Sequence, residues 1–527
     1  MLEIWRNPEY LRHVRAELRF SRAVTVGVVV LLVCFLVGLS SWANTQSEIE
    51  NARNAAAQFG GQWQQRLPVI ERQALQNFWR WFYQWLIGMQ GAILIFWSLF
   101  ACAQSVSGER DRKTWDFQRT TRVGSGELLV GKLLGEPILA YFMVLCSLPI
   151  TFVAGLGAGF SLGTVVSVYV ILLSTSLFVG LWGLWLSTLL ESKNRGMTMI
   201  GALALLGMTV GTMGFETSPF PGLAAVSPLT GIMALVGDES FRRSLHGTMF
   251  GHPWPWVALT VTLHACFGAW IVLMLVRNLK RDYEEIRPLS RWQAVGCAGF
   301  LNFLAYALLN PVGEYASPVL DARMLASGMM ALNGPILMAV GLFTLTPAER
   351  LKVWWRRRGQ DGLLSENGLA WPWLLVSAGL AYVLTIWGLL AWKSAVAFQT
   401  RALATSGIQL LVLLSFVVRD VLFVQWCKLS RMRQPVLKGL LFLGLYYVAA
   451  IVIAIVTGVQ THDVPERTLA WLTPFMAFNM NGEGIRFAGN VYAGAALQAG
   501  LIVLLIMAIG TRLEKPAHLP SKAIAQA

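Results

Sequence analysis

Stretches of about twenty mostly apolar residues recur along the whole chain, and that recurrence limits what it can become. A hydrocarbon core about 30 Å thick is crossed by roughly 20 residues of α-helix. Only helices or closed barrels satisfy every backbone group inside it. Twelve such stretches are predicted, at 23–43, 82–103, 137–158, 163–189, 196–214, 254–276, 294–310, 324–345, 371–391, 402–423, 439–456 and 491–510. Of 527 residues 55% are hydrophobic and only 13% charged, with a mean hydropathy of +0.56. Soluble domains carry roughly a quarter charged residues, and 13% cannot coat a body of this size in polar side chains. The expected fold class is all-α, a polytopic membrane protein of about twelve transmembrane helices.

Charge then orients the spans. The chain holds 42 Lys and Arg against 28 Asp and Glu, a balance that in a soluble protein would raise nucleic acid as a partner. Here position matters more than sum. With the N-terminus cytoplasmic, 30 of the 42 basic residues fall on inner segments and 11 on outer ones, the asymmetry expected of inserted helices. Both termini are therefore expected in the cytoplasm, with the chain a multi-pass protein of the cell inner (plasma) membrane and no nucleic-acid partner. The first 22 residues carry Arg6, Arg12, Arg15, Arg19 and Arg22, and the apolar run that follows is too long for the core of a signal peptide. It should stay as a span. Many tryptophans, among them Trp42, Trp81, Trp254 and Trp371, flank spans as an aromatic belt against membrane lipids.

The layout falls into two six-helix halves, 1–290 and 291–527. After the second helix of half one the chain reads Glu109-Arg110-Asp111-Arg112-Lys113-Thr114-Trp115; after the second helix of half two it reads Glu349-Arg350-Leu351-Lys352-Val353-Trp354. Before the last helix of each half stand Val226-Ser227-Pro228-Leu229 and Leu472-Thr473-Pro474-Phe475. Six helices per half make a parallel repeat, a plan some transporters use. Two outer segments exceed simple turns. The segment 44–81, polar and rich in Gln and Ala, is expected to form short amphipathic helices on the outer surface. The segment 215–253 is Pro-rich and then helix-like from Leu229 to Val236, as if dipping back into the outer leaflet.

The stretch from Ser107 to Phe117, continuing through Thr120-Thr121-Arg122 to Gly126-Glu127-Leu128-Leu129-Val130-Gly131-Lys132, resembles the signature of ABC-2 type permeases. Glu109, Arg110, Thr114, Asp116, Thr121, Gly131 and Lys132 fall on matching positions, while Lys113 stands where the family has Gly and Arg122 where it has Pro. The basic N-terminus beginning Asn7-Pro8-Glu9 is similar to that family's leading interfacial helix. The resemblance covers half one; half two reads as a diverged copy. It implies a membrane-spanning permease subunit, not itself an enzyme, that works with a separate ABC-type ATP-binding subunit in two copies. ATP and Mg²⁺ would be bound there and none by this chain. It also implies export rather than import. A segment made of Glu109, Arg110, Arg112, Lys113, Thr114 and Asp116 would dock on the ATPase, with Glu109 and Arg110 as polar anchors. Glu349, Arg350 and Lys352 would form a weaker second contact. A secondary transporter or channel-like protein without an ATPase is the alternative.

Other motifs carry less. Gly126 to Lys132 has the spacing of a phosphate-binding loop, yet Leu133 stands where a Ser or Thr must reach Mg²⁺ and no apolar strand precedes it. The six cysteines have no paired spacing and read as small core residues. The six histidines are dispersed, without metal-ligand spacing; His264, inside the sixth helix, reads as a packing residue. Arg419-Asp420 is the clearest ionisable pair in an apolar run, read as structural, near the inner interface, with Arg419 snorkelling.

Overall fold

The computed structural model describes residues 6–120, 122–189, 221–237, 247–281, 289–309, 322–357, 360–391, 400–430, 432, 435–460, 469, 471–474 and 488–514. The chain divides into two compact units, Met1–Ile286 and Arg287–Ala527.

Unit 1 opens with α1 (Pro8–Glu17), started by Asn7, whose Oδ1 accepts from the N–H groups of Glu9 and Tyr10. Such a cap satisfies donors that the first turn leaves over. α2 (Phe20–Phe59) is 40 residues long, about 60 Å at 1.5 Å per residue and so about twice the hydrocarbon thickness. It turns back at Gly60-Gly61, both at positive φ, 56° and 48°, a conformation that favours glycine. α3 (Gln62–Ala92) returns alongside. Ser41, Thr45, Ile49, Ala52 and Ala56 form the buried seam of α2, and Arg53 pairs with Glu71 across the hairpin at 2.8 Å. The short surface helices expected over 44–81 do not form. Ala, Gln, Glu and Arg are strong helix formers, and no glycine interrupts them before Gly60, so both spans continue outward as one antiparallel hairpin.

α3 passes through a π-helical turn, Ile93–Trp97, into α4 (Ser98–Asp111). Then come α5 (Trp115–Thr120), α6 (Ser125–Gly135), α7 (Ile138–Gly157) and α8 (Leu162–Leu189). Tyr83, Leu86, Leu94, Val144, Val168 and Leu172 belong to the core where α3, α7 and α8 meet. The buried Gln90 amide beside it is paired, as burial demands: Gln90 donates to Ser147 and Thr151 and accepts from Tyr169. A 3₁₀ turn Pro221–Val226, α9 (Pro228–Val236), the two-residue strands β1 (Thr248–Met249) and β2 (His252–Pro253), paired antiparallel, and α10 (Trp256–Asn278) complete the described part of the unit. α8 packs on both α4 and α10.

Unit 2 contains α11 (Arg291–Ala307), α12 (Ala322–Phe343), α13 (Ala348–Arg356), α14 (Trp371–Ala391), α15 (Thr400–Lys428), α16 (Pro435–Gln460) and α17 (Ala488–Glu514). α15 is its centre: its spanning stretch is 72% buried, against 22% for α17 and 17% for α16. Asn302 and Asn333 bond reciprocally between α11 and α12 at 2.9 Å. Arg291 is buried in a cage of oxygens from Ser365, Gly368, Leu369 and Thr346, which fixes the start of α11 to the loop before α14.

Among the described residues ten helices are long and apolar enough to cross a membrane. α11 is a further long helix of 17 residues, and the predicted span at 196–214 lies outside the described residues. The fold is all-α and polytopic.

Candidate coupling site

The signature residues gather at one end of unit 1, where α1, α4, α5 and α6 meet. α4 ends in a left-handed turn: Thr114 N–H bonds Glu109 O at 2.9 Å and Lys113 N–H bonds Arg110 O at 3.0 Å, with Lys113 at φ 58°. Glycine is the usual residue at that position, and a side chain there costs roughly 1–2 kcal/mol. The replacement of the family's glycine by Lys113 therefore leaves the turn in place. α5 then folds back, burying Trp115 and Gln118 and leaving Phe117 75% exposed.

Lys132, on α6, is wholly buried. Its ammonium donates to Glu109 Oε2 at 2.7 Å, Ser105 Oγ at 3.2 Å and Glu9 Oε1 at 3.3 Å, so its three protons have three acceptors. Arg12 reaches from α1 to Glu9 at 2.6 Å and Glu109 at 2.9 Å, and Gln118 donates to Glu109 Oε1 at 2.7 Å. Two buried acids and the buried Lys132 thus share one cluster, with the half-exposed Arg12 balancing the second acid from its rim, the condition under which buried charge is tolerated. Burial pushes the Glu9 carboxyl up, but the His13 hydrogen bond and the charges of Lys132 and Arg12 outweigh it and bring it to about 2. A depressed carboxylate contributes stability above its ordinary pKa near 4.5, and that contribution fades only as pH falls from there toward 2. The clasp is closed throughout the neutral range.

Glycine makes the approach possible. A Cβ at Gly131 would lie 2.6 Å from Asn7 Oδ1 and 2.7 Å from Glu9 Cβ, and one at Gly135 would lie 3.0 Å from the His13 ring. One turn apart, these two glycines form the trough in which α1 lies. Asn7 closes it by donating to Glu127 O at 2.6 Å. The Gly126–Lys132 run with phosphate-loop spacing is helix throughout, its lysine turned inward to carboxylates.

The predicted segment therefore divides by burial. Glu109 faces inward and anchors the clasp instead of standing free for a partner. Arg110 donates to Thr188 O at 2.9 Å and lies over Trp115. Asp111, Arg112, Lys113, Thr114 and Asp116 are exposed. Thr121 lies outside the described residues. Sequence reading missed Glu9, Arg12, His13 and Gln118, although Asn7-Pro8-Glu9 marked the helix that carries the first three. In unit 2 the letters Glu-Arg recur without the geometry. Glu349 has an 88% exposed side chain, 3.9 Å from Lys352, and α13 is held by Leu351 and Trp354, both buried.

Two polar clusters lie within the spans. His264 Nε2 donates to Val226 O at 3.1 Å, and its Nδ1 faces Ser174 Oγ at 3.0 Å. His264 lies eight residues into α10, about 12 Å along it. Arg419 sits nine residues from the end of α15, about 14 Å along the helix, and is buried. It does not snorkel. Its five N–H donors go to Asp420 twice and to Tyr446, Tyr447 and Gln498. Tyr446 and Gln498 donate onward to the carbonyls of Leu472 and Trp471.

These features define a multi-pass, all-α membrane protein whose first helix is locked to the connection between α4 and α6 by buried charge. Residues 1–236 match the family model described as ABC-2 type transporter, so over this part the chain is similar to ABC transporter permeases. No curated protein and no solved structure matches the chain.

Proposed function

We propose that the chain is the permease of an ATP-driven exporter in the cell inner membrane. An ABC-type ATP-binding subunit, in two copies, docks beneath it on the cytoplasmic side, where both termini lie, and itself binds ATP and Mg²⁺. The observation that carries the reading is the clasp. It joins the exposed tip 111–117 rigidly to α1, α4 and α6, so a push on the tip moves the helices behind it as one body. The exposed alternation Asp111, Arg112, Lys113, Asp116 offers oriented charge to a partner, with Phe117 as an apolar anchor, and α13 with Glu349, Arg350 and Lys352 supplies the second, weaker contact.

Two fused permease halves are supported by matching internal plans. α8 packs on α4 and α10 as α15 packs on α12 and α17. In each unit the carbonyl just before Ser-Pro or near Thr-Pro is held by the last helix, Val226 by His264 and Trp471 by Gln498. The secondary-transport alternative would draw on Arg419-Asp420, but every guanidinium donor there is already engaged.

Exchanging Glu109 and Arg110 would break the clasp before it tested docking, so the test uses exposed positions. Arg112→Glu with Asp116→Lys and Phe117→Ser should leave membrane levels and melting temperature unchanged while abolishing transport and co-purification of the ATP-binding subunit. Wild-type co-purification from that variant would remove the tip as a docking site. Orientation is checked separately: a reporter at Lys113 should read inside and one at Gly60 outside, and the reverse result would overturn it.

A further inference from the structure

α16 and α17 both pack on α15, and between them lies a cleft of about 520 Å³. Its floor is Phe423 and Trp426 of α15, and its walls include Phe442 from α16 and Leu501 and Leu504 from α17. Phe442 and Leu504 are about half exposed, so the cleft is open to the surrounding lipid along its side. One end is closed. There Arg419, Tyr446 and Gln498 line it, but the Arg419 charge is neutralised by Asp420 and its five N–H donors are spent on Asp420, Tyr446, Tyr447 and Gln498. A ligand gains no hydrogen bond from that guanidinium.

The other end is different. Arg512, one turn beyond the lining residue Ala508, stacks its guanidinium 3.9 Å from the Trp426 ring centroid and donates to Trp426 O. Lys438 precedes the lining residue Phe442 by one turn on the opposite wall and is exposed. Its neighbour Gly439 packs against Cys427, the residue after Trp426, which sets Lys438 and Arg512 at the same level of α15. Among the described residues neither forms an ion pair; the nearest acid in sequence, Glu514, accepts from Trp355. From Gln498 to Ala508 the wall is about 15 Å long at 1.5 Å per residue, half of a hydrocarbon core of about 30 Å.

We propose that this cleft is a binding site for one anionic phospholipid, its acyl chain in the cleft below the Arg419 cluster and its phosphate between Lys438 and Arg512. The length matches one leaflet, the lining is apolar throughout the chain's path, and among the described residues beside the cleft Lys438 and Arg512, which form no ion pair, stand at the headgroup level. Assignment to the inner leaflet rests on the orientation proposed above; the binding itself does not.

The test is native mass spectrometry of the detergent-solubilised full chain with phosphatidylglycerol or phosphatidylcholine of identical acyl chains. Two basic side chains at a lipid surface give a preference of roughly thirtyfold for the anionic lipid. Lys438→Gln with Arg512→Gln should abolish the preference while leaving some retention of both lipids. Ala508→Trp, which fills the cleft, should abolish retention of both, and Leu504→Trp provides an independent block at an exposed position should the first fail to fold. Equal retention of the two lipids by the wild type, an undiminished preference in the charge variant, or full retention in a folded cleft-filling variant would each overturn the proposal. A Lys113 reporter reading outside would move the site to the other leaflet and leave these binding results standing.

Discussion

Lys132→Met should destabilise unit 1 by about 3–5 kcal/mol, because removing one partner of a buried ionic cluster leaves the others uncompensated. Glu9 and Glu109 would then share a buried site with Arg12 as their principal cation, and Ser105 would lose its donor. The loss is expected first at α1, which is held to α6 by this cluster and by the trough at Gly131 and Gly135. Thermal unfolding in detergent should show the drop, and trypsin should cut early at Arg15 and Arg19. The discriminating variant is Glu9→Gln, Glu109→Gln and Lys132→Met together. With the three buried charges gone, the shapes kept and the half-exposed Arg12 left to solvent, most of the stability should return, since buried ion pairs are often replaceable by neutral groups of similar volume. A Lys132→Met protein as stable as the wild type would show that the cluster contributes nothing net.

The second large effect is expected in unit 2. Arg419→Leu should cost several kcal/mol, within the range of about 3–5 kcal/mol for breaking a buried pair, since Asp420 would keep only the Tyr447 hydroxyl at 2.6 Å. The damage should spread outward, because Tyr446 and Gln498 hold the carbonyls of Leu472 and Trp471 and are themselves oriented by the guanidinium. Arg419→Leu with Asp420→Leu should be closer to wild type than Arg419→Leu alone. Arg419→Lys should not rescue, as one ammonium cannot serve five directions at once. Cysteine labelling at Thr473 reads the outward spread: the position is 1% exposed, and Thr473→Cys should become reactive only when Arg419 is lost. Equal melting temperatures for the single and double leucine variants would contradict this.

How much of this could be read from sequence follows from the physics of each feature. The spans were legible because length and hydropathy are local properties, and ten described helices meet that criterion. The long hairpin of α2 and α3 was not, because its polar composition suits a surface loop and a solvent-exposed helix pair equally. Only the absence of a breaker between Ala43 and Gly60 distinguished them. The signature at Glu109 and Lys132 was legible as letters, yet its role was not. Charged residues beside a membrane face water by default, and only the arrival of Glu9 and Arg12 from a distant segment makes burial affordable for them. Arg419-Asp420 failed in the same way: adjacency suggested a pair reaching for the interface, whereas its partners Tyr446, Tyr447 and Gln498 come from two later helices.

The clasp also sets an order on how the protein can be made. Glu9 and Lys132 are 123 residues apart, and at roughly 5–20 residues per second that separation corresponds to about 6–25 s of synthesis. During that interval α1 has emerged but has nowhere to go: its trough on α6 does not yet exist, and Glu9 and Arg12 are solvated. Two spans must enter the lipid before the helix made first can be seated. The oldest segment of unit 1 is thus seated only after both spans of the hairpin are in place, so its docking on α6 is a ribosome-timed check on their insertion.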